Sequence, residues 1–322
     1  MNLYPLKFYP ILKERLWGGT KLGRLLGKEL ESDLIGESWE LSGVTGDVSI
    51  VANGSFKGTT LTDLINRFPE EILGKSVLER FGKEFPILIK FIDAQKDLSI
   101  QLHPNDELAR KRHNSFGKTE MWYIMDADKD SELIIGFEED ISKETYVESL
   151  KNDTLTDLLN YENVKEGDAY FISAGKIHAI GAGVLIAEIQ QTSDQTYRVY
   201  DYNRKDAQGN LRELHTELSI DAISYVRQND FKVSYQQDTN VSNPMVNCPY
   251  FRTNFISLNK NVRFDVSDRD SFTIYMCLDG DVKIANDFGS ISIKKGETVL
   301  VPAITSQILL NSERAKLLEI TI

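Results

Sequence analysis

The hydrophobic positions of the chain follow two different periods, and the changes between them separate predicted strands from predicted helices. Side chains of a strand alternate between two faces, whereas one face of a helix recurs every three to four residues. The strand period occupies most of the sequence, and helical spacing is clear in three segments, at about residues 57–82, 105–116 and 141–161. The mixed segment at residues 213–224 is compatible with a connecting helix. The pattern therefore predicts a mainly β protein with helical insertions.

The polar side chains between residues 98 and 120 favour a metal site. A predicted strand at the start of this stretch places three polar side chains on one face, namely Ser99, Gln101 and His103. The next strand begins at Lys118 and Glu120, which are two residues apart and therefore also share a face. An imidazole, an amide and a carboxylate from neighbouring strands would make a metal site of the borderline-hard type.

A further ligand candidate, His178, ends a motif that begins 11 residues earlier at Gly167. The segment consists of a glycine turn, a buried strand, a second turn and the histidine. It resembles the second motif of cupin barrels, in which Gly, five residues, Pro, one residue, Gly and two residues precede a metal-binding His. Ser173 replaces the proline here. The resemblance implies that His178 completes a metal site inside a small β-barrel.

An internal repeat predicts a second barrel near the C-terminus. The segment Lys165–His178 aligns without a gap on Lys294–Gln307, so that Gly167 matches Gly296. The second copy has Gln307 where the first has the histidine. We therefore predict a bicupin of two β-barrel (jelly-roll) domains, with a catalytic domain at residues 1–228 and a degenerate, metal-free domain at residues 229–322.

Composition narrows the classes of partner and compartment. The chain has 322 residues, which is enough for two domains. Its net charge of −12 argues against a nucleic-acid partner. No apolar stretch approaches the roughly 20 residues of a membrane helix, and the N-terminus has no long apolar signal core. The two cysteines, Cys248 and Cys277, are too few for a disulfide framework. We expect a cytoplasmic protein that is a monomer or a weak dimer, with no membrane partner.

Six motifs occur in the order in which type I phosphomannose isomerases carry them, and the resemblance extends from about residue 5 to the end of the chain. They are Trp17-Gly-Gly, Trp39-Glu-Leu-Ser, Leu98-Ser-Ile-Gln-Leu-His-Pro, Gly117-Lys-Thr-Glu, Gly175-Lys-Ile-His-Ala-Ile-Gly-Ala-Gly183 and Ser193-Asp-Gln-Thr-Tyr-Arg198. The resemblance implies a compact bacterial member that binds one Zn²⁺ per chain. It also implies interconversion of mannose 6-phosphate and fructose 6-phosphate, a small phosphosugar substrate pair, through an enediol.

The resemblance also implies roles for individual residues. The zinc ligands fall on Gln101, His103, Glu120 and His178. The catalytic candidates are Arg198, Lys118 and Glu188, and the substrate-binding candidates are Ser99, Asp194, Glu40 and Trp17. Ser99 matches a phosphate-contacting serine. Arg204 stands where longer members have a lysine, and Ile180 stands where they have a tyrosine.

The chemistry of these residue types suits an aldose–ketose isomerisation. A zinc ion with an open position is a Lewis acid, and an arginine is a cation that keeps its proton. The proton could be carried by Glu188 or by Lys118 with a depressed pKa, and the residue types do not decide between them. His113 and His215 lie in charged segments and are interpreted as surface residues.

Two other classes of protein remain open on the sequence. One is a sugar-binding cupin that keeps the metal without activity, and the presence of Arg198 and Lys118 argues against it. The other is a different metal-dependent cupin enzyme such as an Fe²⁺ dioxygenase, because some dioxygenases have a similar ligand set. Ser99 and Arg198 favour the phosphosugar.

Overall fold

The structure is a computed structural model that describes residues 3–205, 209–228 and 232–322. Within these residues, twenty strands form three antiparallel sheets, and the helices are short. The prediction of a mainly β chain is therefore confirmed. The predicted domain boundary at residues 228 and 229 adjoins residues 229–231, which lie outside the described residues, and it stays a prediction.

The first sheet has six strands, and its two faces serve different purposes. In spatial order the strands are β2 (Ile11–Gly19), β3 (Ile35–Leu41), β4 (Ile87–Ala94), β11 (Val184–Gln191), β6 (Glu120–Ala127) and β9 (Ala169–Ile172). Alternate residues of β4, such as Ile89 and Phe91, join a large core on the outer face. Ile92 and Ala94 belong to a separate core on the inner face. The inner face also carries the polar side chains described below.

The second sheet has five strands and covers the inner face of the first. In spatial order they are β12 (Tyr197–Tyr200), β5 (Ile100–Leu102), β10 (His178–Ile180), β7 (Glu132–Phe137) and β8 (Leu159–Asn163). Apolar side chains of both sheets, among them Trp122 and Leu133, form one core between them. Since this core fills only part of the space, the remainder of the interior can hold a polar site.

The third sheet contains the C-terminal strands and one strand from the N-terminus. Its strands are β1 (Leu6–Lys7), β13 (Ser242–Asn247), β14 (Arg252–Leu258), β15 (Val262–Asp265), β16 (Thr273–Asn286), β17 (Gly289–Lys294), β18 (Thr298–Val301), β19 (Gln307–Asn311) and β20 (Ala315–Thr321). Pairing of β1 with β18 ties the start of the chain to its end. The third sheet encloses a core of its own.

The helices fall largely within the segments of helical spacing. They are α1 (Lys21–Leu26), α2 (Leu61–Arg67), α3 (Pro69–Leu73), α4 (Lys75–Phe81), α5 (Asp106–His113), α6 (Lys143–Asn152) and α7 (Thr216–Ser219), with 3₁₀ turns at Gly54–Phe56 and Leu155–Leu158. Side chains cap several of them; Asn105, for example, accepts the N–H of Leu108 at the start of α5. Two details differ from the spacing. The pattern did not predict α1, and residues 159–161 belong to strand β8 because they pair with β7.

The internal repeat of the sequence coincides with a repeat of backbone structure. Strands β9 and β18 begin and end at aligned residues, and β10 and β19 begin at the aligned pair His178 and Gln307. Gly167 and Gly296 both have φ above +80°, a conformation that glycine adopts without a Cβ penalty. Each glycine N–H donates to the neighbouring strand, to Ile124 O and Cys277 O respectively. The two segments therefore fold alike.

Candidate metal centre and active site

A cavity of about 520 Å³ lies between the first and second sheets. Strands of both sheets direct polar side chains into it, and the alternation along each strand decides which residues these are. The lining includes Trp17, Glu37, Trp39, Lys90, Ser99, Gln101, Lys118, Glu188, Asp194 and Arg198. Seven of these ten were predicted site residues.

Three buried side chains form a compact cluster beside this cavity. His103 follows β5, Glu120 begins β6 and His178 begins β10. Their candidate ligand atoms all lie within 4.8 Å of one another. Nε2 of His103 and Nε2 of His178 are each 3.5 Å from a different oxygen of Glu120. The structure therefore brings together three of the four predicted ligands.

The histidine rings are held so that Nε2 faces the cluster. Nδ1 of His103 lies 2.8 Å from the carbonyl oxygen of Gln195, and Nδ1 of His178 lies 2.8 Å from that of Lys176. A carbonyl can only accept, so each Nδ1 carries the proton and each Nε2 presents a lone pair to the cluster. Burial lowers the pKa of His178 to about 3 and that of His103 well below its usual value. Both rings are therefore neutral, as metal ligands must be.

The geometry of the cluster is suited to a bound metal ion. Glu120 Oε1 and His178 Nε2 are buried and have no hydrogen-bond partner among the described residues, and such orphaned atoms are rare unless a ligand satisfies them. Burial raises the pKa of Glu120 to about 7. In a tetrahedral site, zinc bonds of about 2.0–2.2 Å place neighbouring ligand atoms about 3.3–3.6 Å apart, which matches the 3.5 Å between Glu120 and each histidine. The three residues therefore fit a divalent ion such as zinc.

Gln101 and Lys118 flank the cluster in different ways. Gln101 pairs in register with His178 on one side and with Arg198 on the other, and it lines the cavity. The Lys118 ammonium lies 2.9 Å from Glu120 Oε2 and 3.2 Å from His103 Nε2. Burial disfavours that charge, but Glu120 and Glu188 outweigh burial and raise the pKa of Lys118. A metal cation bound to Glu120 would act in the opposite direction.

Arg198 lies at the cavity wall on β12. Its Nε donates to Ser99 Oγ at 3.2 Å, and its Nη1 donates to the carbonyl oxygen of Glu213. His215 holds the backbone of Arg198. The backbone N–H of His215 donates to the carbonyl oxygen of Arg198, and the ring atom Nδ1 of His215 accepts the backbone N–H of Arg198. The interpretation of His215 as a surface residue therefore missed its two hydrogen bonds to the backbone of Arg198. Burial and the nearby charge of Arg212 lower the pKa of Arg198.

Glu188 is buried on β11 between an indole and an ammonium. Trp122 Nε1 donates to Glu188 Oε2 at 2.9 Å, and Lys90 Nζ lies 3.3 Å from Oε1. The indole fixes one carboxylate oxygen, while the other faces the cavity cations. Such a carboxylate can hold or move a proton within reach of a bound substrate.

The structure corrects the prediction for Glu40. Glu37 and Trp39 point into the cavity, so Glu40 points to the opposite face of β3. There it accepts hydrogen bonds from Lys28 Nζ and Ser38 Oγ, both at 2.6 Å. Strand alternation makes a substrate contact of Glu40 incompatible with the cavity position of Glu37. Trp17 lines the cavity, and Asp194 lies exposed at its edge.

Sequence reasoning missed four cavity residues with charged side chains: Arg15, Glu37, Lys90 and Arg212. Lys90 had a signal, since it interrupts the apolar run Phe85–Asp93. Arg204 does not line this cavity; it binds Asp201 and the carbonyl oxygen of Asp97. Ile180 also lines the cavity.

Comparison with known proteins identifies the family. The family model described as phosphomannose isomerase type I, catalytic domain, matches residues 6–144, and that described as mannose-6-phosphate isomerase, cupin domain, matches residues 242–320. Mannose-6-phosphate isomerase ManA of Bacillus subtilis is 37% identical over 305 residues, which cover 94% of each chain. The chain belongs to the type I phosphomannose isomerase family. The family consists of isomerases, as the sequence motifs predicted.

Other members of the phosphomannose isomerase family agree in sequence and in fold. The mannose-6-phosphate isomerase of Streptococcus mutans is 33% identical over 302 residues, covering 92% of each chain. The crystal structure of the Bacillus subtilis mannose 6-phosphate isomerase superposes with a TM-score of 0.89 at 31% identity, over 99% of both chains. A putative mannosephosphate isomerase of Archaeoglobus fulgidus shares the fold with a TM-score of 0.78. Among the described residues, no helix is long and apolar enough to cross a membrane.

Proposed function

We propose that this phosphomannose isomerase family member is a zinc-dependent aldose–ketose isomerase that interconverts mannose 6-phosphate and fructose 6-phosphate through an enediol. The observation that carries the proposal is the buried cluster of His103, Glu120 and His178 beside a polar cavity, which Lys118 of the cavity lining contacts. Gln101 is the proposed fourth ligand, and one Zn²⁺ per chain is expected. An amide oxygen is a weaker donor than an imidazole nitrogen and lacks the charge of a carboxylate, so its contribution to affinity is the smallest of the four.

The proposed reaction moves a proton between C1 and C2 of the sugar. Zinc at the cluster would supply Lewis-acid polarisation of the substrate oxygens. Glu188 is the proposed base, because one of its oxygens is held by Trp122 while the other faces the cavity. The Arg198 guanidinium would stabilise negative charge on the enediol oxygens. Lys118, as a buried cation, would add to that stabilisation or deliver a proton.

The phosphate is proposed to bind beside Ser99, where Arg212 adds positive charge near Arg198. The two arginines are close enough for the charge of Arg212 to lower the pKa of Arg198. A dianionic phosphate would relieve that repulsion. Phosphate binding there positions the sugar and contributes little to the chemistry itself.

The C-terminal unit, which is the predicted domain of residues 229–322, is proposed to be a second, metal-free cupin. The register of its sheet gives counterparts for every proposed ligand: Thr273 for Glu120 and Gln307 for His178 on β16 and β19, and Asp265 and Ser267 for Gln101 and His103. None of these replacements is an imidazole. All four histidines of the chain precede residue 229.

In this second unit, the side chain of an arginine lies between the residues that correspond to Glu120 and Glu188. Glu319 is the register counterpart of Glu188, and Tyr275 donates to it as Trp122 does to Glu188. Arg269 Nη1 bridges Thr273 Oγ1 at 2.8 Å and Glu319 Oε1 at 3.1 Å. The side chain thus supplies an internal positive charge between the counterparts of Glu120 and Glu188, which supports a unit that needs no metal.

A coupled assay with mannose 6-phosphate tests the proposed function. Protein purified without added metal should contain about one zinc per chain and turn over this substrate. Removal of zinc by a chelator should abolish turnover, and added Zn²⁺ should restore it. Zinc binding without turnover would indicate a sugar-binding cupin, and Fe²⁺-dependent consumption of O₂ would indicate a dioxygenase. Full activity in metal-free protein would contradict the zinc mechanism.

The protein is proposed to be a monomer or a weak dimer and to act in the cytoplasm. Its proposed partner is the phosphosugar, and neither nucleic acid nor a membrane is proposed as a partner. The net charge of −12 supports the exclusion of nucleic acid. Analytical ultracentrifugation over a range of concentrations checks the oligomeric state. A stable tetramer would contradict this part of the proposal.

A further inference from the structure

A series of side-chain hydrogen bonds connects Tyr250 with the peptide of Thr119. The Tyr250 hydroxyl donates to Asp106 Oδ2 at 2.7 Å. Gln191 Nε2 donates to Asp106 Oδ1 at 3.0 Å, and Gln191 Oε1 accepts the Thr119 N–H at 2.8 Å. These four residues lie in separate parts of the sequence. They converge on the residue between Lys118 and Glu120.

Gln191 forms hydrogen bonds with both the backbone N–H and the backbone carbonyl oxygen of Thr119. Its backbone N–H donates to Thr119 O at 3.1 Å, while its side chain accepts the Thr119 N–H. The register of β11 with β6 ends at the pair Gln190 and Glu120. The Gln191 side chain therefore extends the pairing by one residue at the start of the strand that carries Glu120. Gln191 is buried, so water cannot replace these bonds.

The residues before Thr119 are held in the same way. The Gly117 N–H donates to Asp106 Oδ1 at 2.8 Å, and the Lys118 N–H donates to Pro104 O at 3.2 Å. A Cβ on Gly117 would lie 2.6 Å from Asp106 N, so only glycine permits this close approach to α5. Three consecutive N–H groups, at residues 117–119, thus donate to fixed acceptors.

We propose that Gln191, Asp106 and Tyr250 are positioning residues of the metal centre. They hold the backbone at Thr119 so that Glu120 keeps its direction towards His103 and His178. The inference rests on the metal site of the proposed function, but it concerns residues outside the proposed ligand set. Tyr250 lies between β13 and β14, so the C-terminal unit takes part in ordering the centre of the other unit. Removal of such outer partners typically weakens metal binding by about 10- to 100-fold.

The test compares two variants with a matched control. Gln191→Met removes both side-chain hydrogen bonds while filling the space, and Tyr250→Phe removes only the terminal hydroxyl. Tyr235→Phe is the control, since Tyr235 is also half-buried and its hydroxyl donates to Gly167 O, away from this network. The zinc dissociation constant is measured by competition with a chromophoric chelator, with circular dichroism to check folding.

We expect Gln191→Met to raise the zinc dissociation constant by about 10- to 100-fold, Tyr250→Phe by severalfold, and the control by less than twofold. Glu120 and Lys118 act in the reaction rather than in general affinity for the sugar, so kcat should fall more than KM rises in Gln191→Met. The double variant should bind zinc no more weakly than Gln191→Met, because residues of one network are not additive.

A conservative replacement separates positioning from bulk stability. Asp106→Asn can still accept from Gly117 and Gln191 and can donate to the Tyr250 oxygen, so its zinc affinity should stay near that of the parent. Asp106→Ala should lose as much as Gln191→Met. Unchanged zinc affinity in Tyr250→Phe and in folded Gln191→Met would overturn the inference, as would an equal loss in the control. If Gln191→Met does not fold, Tyr250→Phe decides. A parent that binds zinc without isomerase activity would contradict the proposed function and leave these affinities to decide the inference.

Discussion

Glu37 and Glu40 lie on the same strand, yet they point to opposite faces of the first sheet. Glu37 lines the cavity and accepts hydrogen bonds from Arg15 Nη2 at 2.7 Å and Trp39 Nε1 at 2.9 Å. Glu40 binds Lys28 on the other face. Burial by itself would raise the pKa of Glu37, but Lys90 and Arg15 outweigh it and hold that pKa below its usual value. Glu37 is therefore an ionised carboxylate at the cavity wall.

The two glutamates form a matched pair for mutation. Glu37→Gln should lower kcat/KM about tenfold or more, because it removes a negative charge from the cavity lining, where a sugar hydroxyl could donate to it. Hydrogen bonds to a charged group are worth about 1.5–3 kcal/mol. Glu40→Gln should leave kinetics within about twofold and lower the thermal unfolding midpoint, since it leaves the buried Lys28 ammonium without a counter-charge. Steady-state kinetics and calorimetry measure both effects. Loss of activity in folded Glu40→Gln would show that its opposite-face placement is not the relevant one.

Arg198→Ala should lower kcat by about 100-fold or more at saturating mannose 6-phosphate, because a cation in a water-poor site can supply several kcal/mol to the transition state. Arg198→Lys should recover only part, since lysine keeps the charge but not the planar fork of donors. Zinc content, measured in parallel, should not change. Arg204→Ala is the control from outside the cavity, and its kcat should stay within a few fold. A kcat of Arg198→Ala in the same range would exclude the catalytic role.

Glu188→Gln should abolish turnover while zinc content stays at the parent value. The amide keeps the shape and can still accept from Trp122, but it cannot take a proton from the sugar. Exchange of the C2 proton with solvent deuterium provides the direct measurement, and it should stop in this variant. If exchange continues in Glu188→Gln and stops in Lys118→Met, the base is Lys118.

Arg269 and Glu319 should set the acid stability of the C-terminal unit. Burial would raise the pKa of Glu319, but Arg269 and the hydrogen bonds of Ser242 and Asn254 outweigh burial and lower it. Glu319 therefore takes up its proton at a higher pH in the unfolded chain than in the folded protein. Its contribution to stability is complete above the ordinary glutamate pKa of the unfolded chain. That contribution is lost as the pH falls through the lower pKa of the folded protein. Urea unfolding at a series of pH values should show that loss below about pH 4.5.

Arg269→Met should lower the free energy of unfolding by about 2–4 kcal/mol at pH 7, because it leaves a buried carboxylate unpaired. The acid dependence should weaken in the same variant. Arg269→Met/Glu319→Gln should recover part of the stability, and zinc content should be unaffected in both. A loss of zinc from Arg269→Met would contradict the assignment of the metal to the other unit.

The sequence by itself determined which side chains share a face within each strand. Ser99, Gln101 and His103 could be grouped from alternation alone, because side chains two residues apart in a strand point the same way. The same rule grouped Lys118 with Glu120. The gapless repeat of residues 165–178 predicted the turn and strand that recur at residues 294–307, since a glycine turn and a buried strand are local features.

Only the tertiary structure decided which face of each strand meets the cavity and which charges meet across it. Nothing local distinguishes the Glu37 face of β3 from the Glu40 face, because both are buried and polar. Lys90 reaches Glu188 only through the pairing of β4 with β11, which lie almost 100 residues apart in sequence. The charge on Lys118 likewise depends on carboxylates brought close by pairing, and Coulomb energies follow distance in space rather than along the chain.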